Sequence, residues 1–302
     1  MRGTVRRSSP SLPVVEVDGH RVGLTVQGQG EPLLLLHGIG RDRTDWSGVV
    51  PALAARFTVY ALDVEGFGQS EPWEDRVSLR SMARMARRTL ESVGETRPVR
   101  VSGNSMGGAV ALRMLADDPE RIAALVLISP AGFGKEASLA LRLMTVPVLG
   151  PLLLRFSITA AWLEVRSLLV DRTFVTRELM LAAARRMRSP DARRRYLQVI
   201  HDLGAWSGVR PEWRREVIQA LATASTPTLV LWGERDVVLP HAHLAAAAAA
   251  LPHAITRSLP DLGHGPHIEA PERIAALITE FFDQADRAGA LPVPTGPDPA
   301  GG

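Results

Sequence analysis

Cysteine is absent from all 302 residues, which excludes disulfides, thiolate nucleophiles and cysteine-held metals and leaves the redox compartment open. Aromatic residues are scarce as well, at 5%, and narrow the choice of substrate little. Neither sign of charge dominates: 35 Lys and Arg stand against 32 Asp and Glu, a formal net charge of +3. The arginines are spread along the chain, with a local excess near 185–195. Arg193-Arg194-Arg195 reads as a solvated helix face, so no nucleic-acid partner is expected. A long uninterrupted apolar run is also missing. The strongest candidate, 139–163, is broken by Arg142, Pro147, Gly150, Pro151 and Arg155; stable membrane insertion is not expected, whereas peripheral contact with a membrane surface stays open. The basic start, Met1 to Arg7, runs into Ser-Ser-Pro-Ser-Leu-Pro rather than an apolar stretch, so a secretory signal is not expected and the location reads as cytoplasmic.

What the chain does contain is enough apolar sequence, 46%, to bury a large core as one large domain or two smaller ones. Val14–Val17 and Arg21–Val26 flank Asp18-Gly19, a dipeptide that favours a tight hairpin between antiparallel strands. After that, short apolar runs at Leu33–Leu36, Thr58–Leu62, Val99–Val101, Leu125–Ile128, Thr228–Trp232 and Ile255–Leu259 alternate with helical patterns. Those patterns lie near Trp46–Ala54, Leu79–Val93, Met106–Ala116, His241–Leu251 and Pro271–Phe282. Such alternation predicts an α/β fold with a mostly parallel eight-stranded sheet flanked by helices. The rhythm breaks once, after Leu125–Ile128, and a segment of that size is too long for an ordinary loop. The expected organisation is a flexible N-terminus at 1–11, a core from 12–134 and 222–285, a helical cap at 135–221, and a disordered Pro/Gly-rich tail at 286–302.

At the end of Val99–Val101 stands Gly103-Asn104-Ser105-Met106-Gly107-Gly108. In G-x-S-x-G between strand and helix, glycines on both sides of the serine allow a sharp turn that leaves the hydroxyl exposed above the sheet. Two partners follow in chain order: Asp236, after the strand Thr228–Trp232, and His264, in Gly263-His264-Gly265. Serine, then acid, then histidine is the order this architecture requires. Glu234 competes for the acid, and His267, His253 and the pair His241/His243 compete for the base. No metal is expected, because the histidines lack an accompanying carboxylate–histidine helix motif.

Together these residues resemble the α/β-hydrolase family, in its serine-nucleophile branch with a helical cap, across about residues 12–285. Leu33–Leu36 followed by His37-Gly38-Ile39-Gly40 matches the family's strand and oxyanion loop. Asp63-Val64-Glu65-Gly66-Phe67-Gly68-Gln69-Ser70 resembles its D-x-x-G-x-G-x-S loop, with Val-Glu where Leu-Pro or Met-Arg is more usual. The resemblance implies Ser105 as nucleophile, His264 as base, Asp236 as its orienting acid, and the backbone N–H groups of Ile39 and Met106 as the oxyanion hole. His37 is expected to order the oxyanion loop, and Asp63 to brace loops by hydrogen bonds. In the cap, Leu143, Val146 and Leu149 are expected to meet the substrate.

By the same resemblance, relatives that open epoxides or displace halide carry aspartate at the elbow, so Ser105 implies an ester, thioester, lactone or activated amide carbonyl. The first expectation is a small, largely apolar carboxylic ester or lactone, cleaved through an acyl-enzyme without a cofactor. Gly-Asn-Ser-Met-Gly-Gly is also similar to the elbow of carbon–carbon hydrolases acting on ring-fission (meta-cleavage) products, although those commonly carry tryptophan after the histidine, where this chain has Gly265. A cofactor-free perhydrolase and a noncatalytic ligand-binding module are the remaining alternatives. Substrate identity and oligomeric state are not readable from spacing.

Overall fold

The computed structural model describes residues 13–155, 157–221 and 224–289. Strands β1 (Val14–Val17) and β2 (His20–Gln27) form an antiparallel hairpin in which Val17 pairs with His20. Only two residues close it, Asp18 at φ 50° and Gly19 at φ 81°, the doubly left-handed turn whose twist suits a hairpin.

The sheet continues through β3 (Glu31–Leu36), β4 (Phe57–Leu62), β5 (Val99–Asn104) and β6 (Ile122–Ile128). A short pair, β7 (Gly204–Ala205) and β8 (Gly208–Val209), lies apart from it, and β9 (Thr228–Gly233) and β10 (Ile255–Leu259) complete it. The order across the eight strands is β1-β2-β4-β3-β5-β6-β9-β10. All neighbours from β4 to β10 are parallel, and β2 joins β4 antiparallel.

Leu33–Leu36 shows why the strands read as continuous apolar runs. Alternate side chains leave opposite faces of a strand. Leu34 and Leu36 therefore enter one core cluster with Met82, Met85, Ala109 and Leu112, while Leu33 and Leu35 enter another with Trp46, Leu53, Ile274 and Phe282. Helices α1 (Val50–Leu53), α2 (Leu79–Ser92) and α3 (Met106–Asp117) supply part of that cover. Ser78 starts α2 with a reciprocal cap to Ser81, which satisfies two of the orphan groups at a helix start.

Between β6 and β9 the chain leaves the sheet for a helical insertion. It contains α4 (Leu139–Met144), α5 (Leu149–Arg155), α6 (Ser157–Leu168), α7 (Arg177–Arg186), α8 (Pro190–Leu203) and α9 (Pro211–Leu221). Ser138, Thr176 and Ser189 cap α4, α7 and α8 by accepting backbone N–H bonds. The insertion has a small core of its own, Val165, Leu169 and Ala183, against which Ile268 packs. The final crossovers use α10 (His243–Ala250), the short α11 (Pro266–Glu269) and α12 (Pro271–Gly289).

Two sequence expectations are corrected. The helix expected over Trp46–Ala54 is split into a 3-10 turn, Arg43–Trp46, and the four-residue α1. Gly48 lies between them, and Pro51 fits only the first turn of the helix that follows. Residues 286–289, expected to belong to the tail, are helical, because α12 continues to Gly289. Asp286 is held by ion pairs to Arg56 and Arg100, which extends order past the apolar stripe. The N-terminal segment 1–11 and the tail from 290 lie outside the described residues. No described helix is long and apolar enough to cross a membrane.

Candidate active site

Ser105 sits where β5 ends and α3 begins, at φ 55° and ψ −116°. A non-glycine residue there carries strain of about 1–3 kcal/mol and persists only where its surroundings enforce it. They do: the Ser105 amide donates to Ile128 O at 3.0 Å, and its carbonyl accepts from Ala109 N at 3.2 Å and Ala131 N at 3.0 Å. The flanking glycines are required by contact. A Cβ at Gly103 would meet the Gly107 backbone, and one at Gly107 would meet the carbonyls of Leu36 and His37.

Asp236 follows β9 by three residues and is buried. Its Oδ1 accepts from Val238 N at 2.8 Å and Leu239 N at 2.9 Å, while Oδ2 lies 2.7 Å from His264 Nδ1. The imidazole therefore donates Nδ1–H to the carboxylate and keeps the lone pair on Nε2. Ser105 and His264 line one cavity of about 320 Å³. Glu234 has a different partner, accepting from the Ser258 hydroxyl at 2.8 Å. His241 also pairs with Ser258, and His243 with Glu136.

Ile39 lines the cavity, and with Ser105 and Met106 it also lines a smaller adjoining space of about 70 Å³. Met106 is the first residue of α3, and the first amides of a helix have no intrahelical acceptor. His37 anchors the neighbouring loop with both ring nitrogens. Its Nε2 accepts from Val64 N at 2.9 Å, so Nδ1 carries the proton and donates to Gly38 O at 2.7 Å. Burial lowers the His37 pKa, which keeps this neutral tautomer. Asp63 accepts from Arg43 N at 2.7 Å and Gln69 N at 2.8 Å and pairs with the Arg43 guanidinium, bracing loops as the sequence suggests.

The cavity wall is chiefly apolar and comes largely from the insertion. Leu143 lines it together with Leu141, Met144, Leu153 and Leu154. Val146 and Leu149 do not. Val146 N turns back to Leu143 O at 3.1 Å, and Gly150 N bonds Val146 O at 3.0 Å, so this pair belongs to the bend between α4 and α5.

Several residues at the site escaped the sequence reading. Asn104 Nδ2 donates to Ile128 O at 3.1 Å and to His264 O at 2.9 Å, tying the histidine loop to the serine strand. Buried Glu269 accepts from Gly263 N at 2.7 Å, from Asp171 N at 3.1 Å and from Val170 N. Gly265 N adds a bond to Leu168 O at 3.0 Å. The only local signal was a polar residue beside the serine and an acid five positions after the histidine. A charged group also lines the cavity: Arg41 grips Asp45 through two bonds of 2.6 and 2.7 Å and reaches Glu164 at 3.5 Å. Burial opposes ionisation of Asp45, but Arg41 and then Arg186 outweigh it and hold the carboxyl below its ordinary value.

His267 is fully buried, its ring 4.4 Å from that of Trp46, and among the described residues neither nitrogen has a hydrogen-bond partner. Burial pushes it from the ordinary 6.5 down to about 4. A histidine with a lowered folded-state pKa contributes stability that is whole above pH 6.5 and is lost as pH falls toward 4. The pKa difference corresponds to about 3 kcal/mol. His267→Phe is expected to keep the ring contact and flatten this acid loss, read as a smaller fall in melting temperature between pH 7 and pH 4 than the parent shows. Equal falls in both proteins would show that His267 is not the titrating group.

Comparison with known proteins accords with this architecture. The chain is 32% identical over 277 residues to the dihydrolipoyllysine-residue acetyltransferase component of the acetoin cleaving system of Cupriavidus necator, covering 88% of this chain and 68% of that one. It is 29% identical over 289 residues to the 2-hydroxymuconate semialdehyde hydrolase of Pseudomonas sp. (strain CF600), covering 89% and 93%. Among solved structures, a thermophilic esterase from Thermogutta terrifontis superposes with a TM-score of 0.73 at 24% identity, covering 90% and 99%. The family model for the alpha/beta hydrolase fold matches residues 31–271, and the chain belongs to that family.

Proposed function

We propose that this protein is a serine hydrolase of small, largely apolar carboxylic esters or lactones. The observation that carries the reading is the His264–Asp236 hydrogen bond, which leaves Nε2 free as a base in an apolar cavity that Ser105 also lines. Ser105 Oγ attacks the carbonyl carbon as His264 Nε2 takes its proton. The oxygen becomes an anion between the amides of Ile39 and Met106, where each donor contributes about 3 kcal/mol in the transition state. Collapse breaks the ester C–O bond, and the proton on Nε2 passes to the departing alkoxide. Water, deprotonated by the same nitrogen, then releases the acid and restores Ser105.

The helical insertion is the cap in this reading, and its α4–α5 side sets acyl length. Leu143→Phe is expected to shift preference toward shorter acyl groups, with kcat/KM for the longer esters falling about ten-fold. Val146→Phe is expected to leave the profile alone, because Val146 lies outside the cavity. A shift in Val146→Phe and none in Leu143→Phe would reverse the assignment.

The second reading, carbon–carbon hydrolysis of a ring-fission product, is favoured by the relationship to 2-hydroxymuconate semialdehyde hydrolase. A turnover screen separates the two, using p-nitrophenyl esters of graded acyl length, lactones and a vinylogous dienoate. Ester or lactone turnover that disappears in Ser105→Ala supports the first. Turnover confined to the dienoate replaces it with the second.

A further inference from the structure

Of the large apolar side chains exposed on the described surface, most belong to the insertion. Leu139 is 60% exposed, Val148 80%, Leu152 47%, Trp162 42% and Leu163 55%. All five lie on, or at the start of, three of the helices that line the cavity, α4, α5 and α6. Val148 and Leu152 stand one helical turn apart, since Leu152 N bonds Val148 O at 3.1 Å. On α6, Thr159, Leu163, Glu164 and Ser167 face the cavity. At 3.6 residues per turn, Trp162 and Arg166 share the arc beside Leu163. Leu163 is both cavity wall and exposed surface, which places this arc at the mouth.

Positive charge is in excess along this stretch. Between Leu139 and Arg177 the chain holds five arginines against two carboxylates, Glu164 and Asp171. Glu164 is turned inward to Arg41, and Asp171 accepts from Thr173 N at 2.8 Å. Arg166 lies over the Trp162 ring at 4.3 Å from its centroid, and Arg142 over Trp206 at 4.8 Å, and among the described residues neither makes an ion pair. Exposed tryptophan beside unneutralised arginine, on an apolar rim, matches the boundary between lipid headgroups and acyl chains.

We propose that Leu139, Val148, Leu152 and Trp162, with Arg142 and Arg166, seat the protein on an anionic lipid surface with the cavity mouth facing the lipid. The charges are complementary: arginines are drawn to the negative surface while the apolar side chains enter the headgroup boundary. An ester with an apolar acyl chain then passes from lipid to cavity without crossing water. That substrate class rests on the ester-hydrolase reading; the docking does not.

The test is co-sedimentation of the full chain with vesicles of phosphatidylcholine, with and without phosphatidylglycerol. Binding is expected only with phosphatidylglycerol, weakening as salt is raised. The double variant Leu152→Glu/Trp162→Ala is expected to partition about ten-fold less, with its melting temperature and its turnover of a soluble short-chain ester unchanged. Arg142→Gln/Arg166→Gln, which leaves the apolar groups in place, is expected to bind phosphatidylglycerol vesicles no better than vesicles of phosphatidylcholine alone. Ser105→Ala should bind as the parent does, so failed docking and failed ester chemistry give different results. The proposal is overturned by absence of binding to anionic vesicles or by undiminished binding of the double variant. Light scattering that shows a dimer dissolved by the same substitutions would also overturn it, since a second copy would then cover the face.

Discussion

Ser105→Ala is expected to lower kcat toward p-nitrophenyl esters by ~10⁴-fold or more, without lowering the melting temperature. Among the described residues no hydrogen bond engages Ser105 Oγ, whereas the Ser105 backbone makes three, so alanine removes the proposed nucleophile and leaves the turn tied. The strain at φ 55° belongs to the backbone and is common to serine and alanine. It falls only with glycine, which occupies positive φ freely. Ser105→Gly should therefore be equally inactive yet more stable, by about 1 kcal/mol or a few degrees. Labelling by a fluorophosphonate should disappear in both. Full turnover in Ser105→Ala would remove Ser105 from the mechanism, and a glycine variant less stable than the parent would mean that the turn is unstrained.

Asp236→Asn is expected to lower kcat by about 10⁴-fold at neutral pH, more than the loss of one ordinary hydrogen bond explains. The reason lies in the two sides of the carboxylate. Oδ1 accepts two backbone amides, from Val238 and Leu239, and Oδ2 accepts Nδ1–H of His264. An asparagine has one oxygen, and the pair of amides claims it. Its NH₂ group is then aimed at His264 and can be met only by an unprotonated Nδ1. The proton moves to Nε2, and the ring can no longer accept one from Ser105. Asp236→Ala imposes no such tautomer and should retain more activity than Asp236→Asn. If the two variants are equal, or if the asparagine variant is the more active, the carboxylate acts by charge alone and the orientation argument fails.

Those elements whose burial is set by local pattern were legible in the sequence. Leu33–Leu36 read as a strand because both its faces are covered, and Asp18-Gly19 read as a hairpin because few other pairs tolerate its φ angles. Order and setting pointed to Ser105, Asp236 and His264; His264 and Asp236 are hydrogen-bonded, and Ser105 and His264 line one cavity. What stayed hidden depends on partners distant in sequence. Asn104 and His264 are 160 positions apart, and Glu269 reaches 99 positions back to Val170; neither distance leaves a trace in spacing. Val146 and Leu149 misled because apolar character marks a helix face without saying whether core or cavity lies opposite. Residues 286–289 were read as tail because Asp286 looks like solvent-facing charge until Arg56 and Arg100 are brought beside it.

The bonds from Glu269 and Gly265 to residues 168–171 have a mechanical meaning. The end of α6 and the loop bearing His264 are tied together, because displacing one breaks three hydrogen bonds at once, two to the Glu269 carboxylate and one from the Gly265 amide. On the proposed ester-hydrolase reading, α6 and His264 are thus geared together, and an oversized acyl group that presses α6 outward is expected to draw His264 away from Ser105. Such substrates are expected to bind with little change in KM and to fail in kcat, whereas a rise in KM at constant kcat would show that the two parts slip past each other.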